Sequence, residues 1–347
     1  MNNTVKSILK FLVFLSVGIL LIWLSIRNID DASRANMLDT FKNAKVHWLF
    51  LSALLGILSH FSRALRWNML IETFMKPPRV ANSFFAVMAG YLVNLAIPRL
   101  GEITRAGLIN RYEQVPLDKA IGTIISERAI DVLCLLVVLI LTFTTQFNII
   151  GTYVINNIFI PIKNKLVSAF EGNILILLGA IVGLILLGLL GLFIVRKLQG
   201  KLKTVIMSIW EGVISVKNVK NVPLFIAHTV FIWSMYLLMS YICIFSIDAT
   251  SGLGIGAGLA ILAFGSFGVI VAPGGLGAYP AITGILLTLY NVSYEMGVVF
   301  GWATWSAQTV MVLIVGGISM ALLPIFNKNG QINDNSTKDT DSTLLSE

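Results

Sequence analysis

The chain has 347 residues, of which 56% are hydrophobic and 12% are charged, and its mean hydropathy is +0.86. No soluble domain of this size needs so much apolar surface, so the composition excludes a soluble globular protein and indicates a polytopic membrane protein. The net charge of +8 does not indicate nucleic-acid binding, because the basic residues lie between apolar runs, where they orient spans and meet anionic headgroups.

Six apolar runs are long enough to cross a bilayer as helices, which takes about 20 residues. They cover approximately residues 7–27, 47–66, 120–145, 173–195, 222–247 and 295–323. Lys6 and Lys10 precede the first run, as in a signal peptide, but no small-residue cleavage site follows. We therefore interpret this run as an uncleaved first span.

Two further apolar segments are each interrupted by a proline–glycine turn. The first segment has limbs at 82–97 and 102–111 and a turn at 98–101. The second segment has limbs at 257–272 and 278–290 and a turn at 273–277. Each limb is too short to span a bilayer, and a broken helix at membrane depth survives only where protein or a polar cavity surrounds it. The sequence therefore predicts two re-entrant hairpins.

The positions of lysine and arginine orient the spans, because these residues concentrate on the cytoplasmic side. Stretches 63–81 and 98–119 flank the first hairpin, and both are basic, so the segment between them is predicted to enter and leave on the same side. The basic stretch 196–220 is predicted to be cytoplasmic, and 248–256, which has no lysine or arginine, to be outside. The loop 28–45 departs from the rule, since it is basic but placed outside.

The elements repeat in the order span, span, hairpin, span, over about residues 7–145 and 173–323. Three spans per half is an odd number, so the halves lie in opposite senses and the two hairpin tips face each other near the midplane. The predicted fold is all-α, a polytopic membrane helical bundle of six spans and two re-entrant hairpins in an inverted repeat. It forms one transmembrane domain over residues 1–327, and the polar residues 328–347 are predicted to be a disordered cytoplasmic tail.

Two stretches outside the spans, 34–48 and 201–216, have apolar residues at helical spacing. In the first stretch the apolar face consists of Met37, Leu38, Phe41 and Trp48. Both stretches are predicted to lie flat on the membrane surface.

Charged residues within apolar segments are costly and are therefore candidates for a functional site. At the first turn these residues are Arg99, Glu102 and Arg105. The planar fork of arginine fits phosphate, and the turn at Gly101 leaves backbone N–H groups at a helix start, which favours an anion. We expect Arg99, Arg105 and the Gly101 turn to hold a lipid phosphate, while Glu102 balances charge or holds a cationic headgroup.

A second charged group lies on the third span. Glu127 and Asp131 are four residues apart and share a helix face, and Arg128 can pair with Asp131. These carboxylates would balance the charge of a headgroup; alternatively, the group is a structural ion-pair cluster that ties spans together. Arg63 and Arg66, at the inner end of the second span, are interpreted as snorkelling or topology-marking residues; the alternative is a functional role.

The second turn contains Pro273, Gly274, Gly275 and Gly277, which permit tight turning and close backbone approach but carry no charge. The hydroxyl of Tyr279 could hydrogen-bond a headgroup; the alternative is a packing turn. No metal-ligand spacing and no catalytic motif of the H-E-x-x-H, G-x-S-x-G or P-loop type is present in the sequence. We therefore expect no cofactor, no metal and no enzyme activity.

Four segments together resemble the flippase-like integral membrane family, also called the lysylphosphatidylglycerol synthase transmembrane-region family. They are R-A-L-R-W (63–67), G-Y-L-V-N-L-A-I-P-R-L-G-E-I-T-R-A (90–106), E-R-A-I-D (127–131) and P-G-G-L-G (273–277). The resemblance covers roughly residues 10–325 and implies membrane lipid handling. In the bifunctional multiple peptide resistance factor, this region moves an aminoacylated phosphatidylglycerol across the bilayer, and a separate domain makes the lipid. We expect no such synthase domain here, so the synthase activity is not carried over.

Family members often carry a glutamate shortly after the P-G-G-L-G turn, where this chain has Tyr279 and Pro280. If that glutamate recognises a cationic headgroup, this chain lacks the residue. We expect a protein of the bacterial cytoplasmic membrane, with both termini cytoplasmic, that flips a phospholipid or another lipid-linked anionic substrate. The expected partners are a phospholipid headgroup and a separate lipid-modifying enzyme. Two alternatives stay open: a membrane component of a lipid-modifying enzyme system, and a non-transporting scaffold.

Overall fold

The computed structural model describes residues 30–164 and 216–327, together with the single positions 16, 20, 23 and 27. These two stretches are helical and contain no strand, as the sequence predicts. The α-helices are, in chain order, α1 (Asp31–Lys42), α2 (Val46–Ile71), α3 (Val80–Ala96), α4 (Leu100–Glu113), α5 (Leu117–Thr145), α6 (Phe147–Val154), α7 (Val222–Cys243), α8 (Ile255–Val271), α9 (Ala278–Thr288) and α10 (Tyr294–Phe326).

Several predicted elements lie outside the described residues. They are most of the first span, the span 173–195, nearly all of the amphipathic stretch 201–216, and the tail 328–347. The described residues before Ile125 and from Val216 onward form one compact unit, and those from Ile125 to residue 164 belong to a second unit. Both interrupted segments are in the first unit.

Within residues 30–164 and 216–327, three helices are long and apolar enough to cross a membrane. They are α2 with 26 residues, α7 with its 3-10 extension to Ser246 with 25 residues, and α10 with 33 residues. A helix of about 20 residues already covers the hydrocarbon core of a bilayer. These helices coincide with three of the predicted spans, so the chain is a multi-pass membrane protein. The predicted span 120–145 lies within α5, which has 29 residues.

The first interrupted segment folds as two short helices that pack against each other. α3 ends at Ala96 and α4 begins at Leu100, within a few residues of the predicted limbs. Where the two helices meet, a Cβ atom on Gly101 would lie 2.0 Å from the carbonyl oxygen of Gly90. Since no side chain fits there, the glycine at position 101 sets how closely the helices approach.

The second interrupted segment also folds as two short helices, α8 and α9, separated by a 3-10 turn over Pro273–Gly275. Gly274, Gly275 and Gly277 have φ angles of 57°, 79° and 71°. Residues with a side chain rarely adopt such angles, so the glycines are what makes this turn possible.

The last helix, α10, contacts both hairpins. Against α9, a Cβ atom on Gly297 would lie 2.9 Å from the Cα atom of Gly284. Against α3, a Cβ atom on Gly316 would lie 3.0 Å from the carbonyl oxygen of Met88. Small residues let helices approach closely in membranes, where packing rather than a hydrophobic driving force holds them together. α10 thereby contacts both hairpins closely in this conformation.

Buried apolar side chains of the first unit form several clusters, and two of these clusters include the helices of the hairpins. One cluster of buried side chains includes Trp67 of α2 and Val87 of α3. Another includes Ile261 of α8, Leu287 of α9 and Phe300 of α10. Each hairpin is therefore packed against long helices of its own half of the chain.

The predicted surface helix over 34–48 is wrong at its C-terminal end. α1 ends at Lys42, and Trp48 belongs to α2. The chain turns between them because the backbone N–H of Lys45 donates to the carbonyl oxygen of Ser246 at 2.8 Å, and the Lys45 Nζ pairs with Asp248 Oδ1 at 2.6 Å. Of the predicted apolar face, Met37 packs against the core cluster of α8, α9 and α10.

A further segment was not predicted as an element. α6 and a π-helical turn over Ile155–Phe159 follow the span 120–145. Large apolar side chains of this segment, including Phe147 and Phe159, are exposed. Such exposure is expected of a segment that contacts lipid.

Candidate functional site

The first helix break is closed by a single side chain. Arg99 has a φ angle of 66°, in the left-handed region, and α4 begins at the next residue. Asn94, on the last turn of α3, reaches across the break. Its Oδ1 accepts a hydrogen bond from the N–H of Gly101 at 2.8 Å, and its Nδ2 donates to Oε2 of Glu102 at 3.3 Å. Asn94 therefore joins the two limbs at the tip of the hairpin, and sequence reasoning did not single it out.

These contacts change the expected role of Gly101. From the sequence alone, the turn at Gly101 is expected to offer its backbone N–H to a phosphate. In the structure this N–H is bonded to Asn94, and the missing side chain of Gly101 allows the close approach to Gly90. The geometry therefore gives Gly101 a packing role, and its N–H is not available to an anion in this conformation.

The two arginines of the first break lie in different surroundings. Arg99 is exposed. Arg105 is 4% exposed, and its guanidinium carbon lies 3.8 Å from the centre of the Trp67 ring. A guanidinium group on an aromatic face is attracted by the ring and keeps its plane fixed. Arg105 is thus enclosed by protein, with its orientation set by α2.

Two further arginines of α2 are buried, which corrects the snorkelling interpretation. Arg63 is 2% exposed and Arg66 is 0% exposed. The Nη2 of Arg63 donates to the hydroxyl of Tyr236 at 3.0 Å, and the Nη1 of Arg66 donates to Thr229 Oγ1 at 3.2 Å. Both partners are on α7, so the guanidinium groups point into the bundle rather than out to the membrane surface.

A sequence signal for these arginines was present. Polar residues recur along the C-terminal half of α2, and they are buried: Ser59, His60, Ser62, Arg63, Arg66 and Asn68. The Ser62 hydroxyl lies 2.9 Å from Nδ1 of His228, and the His60 ring lies 4.4 Å from that of Tyr91. Because polar groups inside a membrane span are costly, such a run on one helix indicates a face turned toward protein.

The charged group of the third span is on α5, in the second unit. Glu127 is buried, and Arg128 and Asp131 are half-buried. Glu127 and Asp131 are four residues apart within one helix, as the predicted shared face requires. A buried carboxylate is a strong candidate for a functional or ion-paired group.

The second helix break is held by a residue from another helix. The indole Nε1–H of Trp305 on α10 donates to the carbonyl oxygen of Gly274 at 2.7 Å. Tyr279, at the start of α9, lies against α8, because a Cβ atom on Gly265 would be 2.6 Å from its ring. Trp305 supports the turn, and its position within an apolar helix gives no sequence signal for this role.

The tips of the two hairpins touch. A Cβ atom on Gly274 would lie 3.0 Å from Cδ2 and 3.8 Å from the Cα atom of Leu95, which is next to Asn94. The two proline–glycine breaks, about 175 residues apart in the chain, therefore meet in the structure.

The polar side chains next to the first break are an exposed arginine, Arg99, a carboxylate, Glu102, and an amide, Asn94. Within residues 30–164 and 216–327, no three or more His, Cys, Asp or Glu side chains are grouped so that they could hold a metal ion. Cys134 and Cys243 are not in a disulfide, and Cys243 is buried.

The comparison with known proteins gives one match. No curated protein and no solved structure matches the chain. A protein family matches residues 7–316, a range that includes both helix breaks and the buried arginines. The chain therefore belongs to the family described as the lysylphosphatidylglycerol synthase TM region.

Proposed function

We propose that this protein translocates a phospholipid, or another lipid-linked anionic substrate, between the two leaflets of the membrane. The observation that carries the proposal is the contact between the two helix breaks, at Leu95 and Gly274. Paired broken helices that meet inside a bundle are a common way to build the substrate site of a transporter. The family is associated with membrane lipids, which supports a lipid as the substrate class.

The buried guanidinium groups supply the chemistry for an anionic headgroup. Arg105 lies one and a half turns beyond the first break, and Arg63 and Arg66 lie on the helix that carries its supporting ring, Trp67. Guanidinium groups bind phosphate oxygens through paired N–H donors. We assign the phosphate contact to Arg105 first, because its plane is fixed before a substrate arrives.

A carboxylate at the first break completes the proposed site. Glu102 lies in the first turn of α4 and accepts a hydrogen bond from Asn94. This group would balance the arginines or hold the cationic part of a zwitterionic headgroup.

We infer that both hairpins are re-entrant and belong to an inverted repeat, with the cytoplasmic ends of the first hairpin on the same side of the membrane. Short packed limbs and basic flanks support this topology. Single cysteines placed within 70–80 and within 110–118 should react with the same membrane-impermeant reagent from the cytoplasmic side. Labelling of the two stretches from opposite sides would contradict the first hairpin.

Translocation requires the tips to move apart. A single carbon atom added to Gly274 would already lie 3.0 Å from Leu95 Cδ2. No headgroup therefore passes between these residues in this conformation. Transporters solve this problem by moving one repeat relative to the other around a central site. Under this proposal, the contact between the tips corresponds to a closed state of the transport cycle.

The test is reconstitution of the purified protein into liposomes with fluorescent phospholipids of several headgroups, with and without an imposed proton or ion gradient. We expect protein-dependent movement of at least one lipid between leaflets. If every lipid stays in its leaflet under every gradient, the transport proposal fails.

A second candidate is favoured by the family description, which names a synthase. Under this candidate the chain is the membrane component of a lipid-modifying enzyme system and works with a separate soluble enzyme. It predicts that the liposomes show no lipid movement alone and that added soluble synthase changes lipid modification. A scaffold would change neither measurement.

We further propose that the protein is a transporter rather than an enzyme, and that it resides in the cytoplasmic membrane of a bacterium with both termini in the cytoplasm. The basic stretches on the inner side of the spans support this orientation.

A further inference from the structure

The amide of Asn94 has two partners of different chemistry. Its Oδ1 accepts from the backbone N–H of Gly101 at 2.8 Å, and its Nδ2 donates to the carboxylate of Glu102 at 3.3 Å. A backbone N–H can only donate and an ionised carboxylate can only accept, so the two partners fix which way the amide faces. Aspartate would satisfy the first partner alone, and alanine would satisfy neither.

The two hydrogen bonds tie the helix break to a charged group. Gly101 is held against Gly90 by its lack of a side chain, which fixes the start of α4. Glu102 is the next residue, is half-buried, and lies where the helix dipole favours a negative charge. The orientation of its carboxylate at the tip therefore depends on the amide that donates to it.

We propose that Asn94 is a positioning residue for lipid translocation, which holds the Glu102 carboxylate at the tip of the first hairpin while it closes the helix break. This inference rests on the proposed transport function and adds a division of roles to it. Asn94 itself does not contact the substrate. It acts through Glu102, which meets or counterbalances the headgroup bound by the arginines.

The variant N94D separates the two hydrogen bonds. The introduced carboxylate still accepts from the N–H of Gly101, but it has no N–H to give to Glu102 and places a like charge beside it. In proteoliposomes we expect the initial rate of lipid movement to fall about tenfold or more, because small displacements of a site group have large effects on rate. We expect N94D to keep more folded protein than N94A, which also loses the closure of the break.

Asn110 offers a matched control at the other end of α4. Its Nδ2 donates to the carbonyl oxygen of Val115 at 2.8 Å. The variant N110D removes an amide donor from the same helix without touching the tip. Its transport rate should stay within about twofold of wild type.

The double variant N94D/E102Q decides the matter if N94D alone does not fold. It reverses donor and acceptor, so the pair can form again with the same total charge, but the carboxylate is at position 94. We expect folding to be recovered and transport to stay low. Wild-type transport in N94D would show that Asn94 only caps the helix. Wild-type transport in N94D/E102Q would show that the carboxylate need not be at position 102. Either result overturns the inference. Absence of transport in the wild-type protein would instead refute the proposed function itself.

Discussion

At the first break, Asn94 of the same hairpin closes the gap with its side chain, whereas at the second break Trp305 of another helix donates to the carbonyl oxygen of Gly274 at 2.7 Å. The first break also carries two charged residues, Arg99 and Glu102. The second consists of glycines in left-handed or similar conformations and carries no charge. Two proline–glycine breaks that look alike in sequence therefore differ in what holds them and in what they can bind.

Because of this difference, we assign different roles in the proposed transport to the two hairpins. The first break presents charge, and its geometry is set within nine residues of chain, from Asn94 to Glu102. The second break depends on α10 for support and allows the backbone to come close to Leu95. We assign headgroup recognition to the first break and the opposing wall of the site to the second.

The largest expected effect is that of Gly101→Ala on folding. The added Cβ atom would lie 2.0 Å from the carbonyl oxygen of Gly90. Both groups are fixed to the backbone of a helix, so neither can move away without disturbing its helix. Overpacking of this kind costs about 3 kcal/mol or more. Gel filtration in detergent should show loss of the monodisperse protein.

Gly107→Ala is the control for that substitution. It is on the same helix, and a Cβ atom there would meet nothing within 4 Å. It should leave the protein intact or stabilise it by about 0.5–1 kcal/mol through helix propensity. Equal behaviour of the two alanine variants would contradict the close packing of α3 on α4.

The next largest effect is the fall in the rate of lipid transport when an arginine of the first hairpin is replaced. Arg105→Ala should lower the initial transport rate by about tenfold or more, since a charge-assisted hydrogen bond contributes about 1.5–3 kcal/mol. It should also lower thermal stability, because the side chain is buried on Trp67. Arg99→Ala should reduce transport with little change in stability, because Arg99 is exposed.

Arg111→Ala serves as the control for these two variants. Arg111 is an exposed arginine of the same helix, at the end away from the tip. Its removal should change neither the free energy of unfolding nor the activation free energy of transport by more than about 0.5 kcal/mol. If Arg105→Ala lowers stability and transport only in proportion to the folded protein that remains, Arg105 is structural and the phosphate assignment fails.

A smaller effect is expected at the contact between the tips. Gly274→Ala introduces a Cβ atom at a φ angle of 57°, which costs about 1 kcal/mol, and brings it to 3.0 Å from Leu95 Cδ2. Leu95→Ala in the same chain should remove the second part of the cost but not the first. The thermal midpoints of the two single variants and the double variant measure this coupling, and purely additive effects would contradict a direct contact.

The smallest effect is expected for Trp305→Phe. It removes the indole donor to the Gly274 carbonyl oxygen and keeps an aromatic ring, so the loss should be about 0.6–1.7 kcal/mol. Trp302→Phe is the comparison, because Trp302 lies in edge contact with Trp305, at 5.4 Å between ring centres. A greater loss of thermal stability for Trp302→Phe would show that Trp305 does not hold the second break.

The sequence predicted the short helices on both sides of each break to within a few residues, because apolar length and proline–glycine punctuation are local properties. It did not reveal Asn94 and Trp305 as the residues that close the breaks. Asn94 is an ordinary amide until the chain folds back on Gly101, and Trp305 reaches Gly274 only because α10 packs beside the second hairpin. Such partners depend on tertiary packing.

The prediction for Arg63 and Arg66 failed for a related reason. Arginine at a span end normally extends to the membrane interface. This expectation does not take into account a neighbouring helix that packs against the arginine. Here Tyr236 and Thr229 of α7 accept hydrogen bonds from the two guanidinium groups and hold them inside the bundle. The end of α1 was misplaced in the same way, since Lys45 bonds to Ser246, some 200 residues further along the chain.

The most direct test of the account is a reversible cross-link between the two tips. A Cβ atom added to Gly274 would lie 3.8 Å from the Cα atom of Leu95, within the reach of a disulfide. The pair Leu95→Cys and Gly274→Cys would be made with Cys134→Ser and Cys243→Ala, so that no other thiol interferes. We predict that oxidation forms the cross-link and stops lipid movement in proteoliposomes, and that reduction restores it. Undiminished transport with the tips cross-linked would contradict the claim that lipid passes where the two breaks meet.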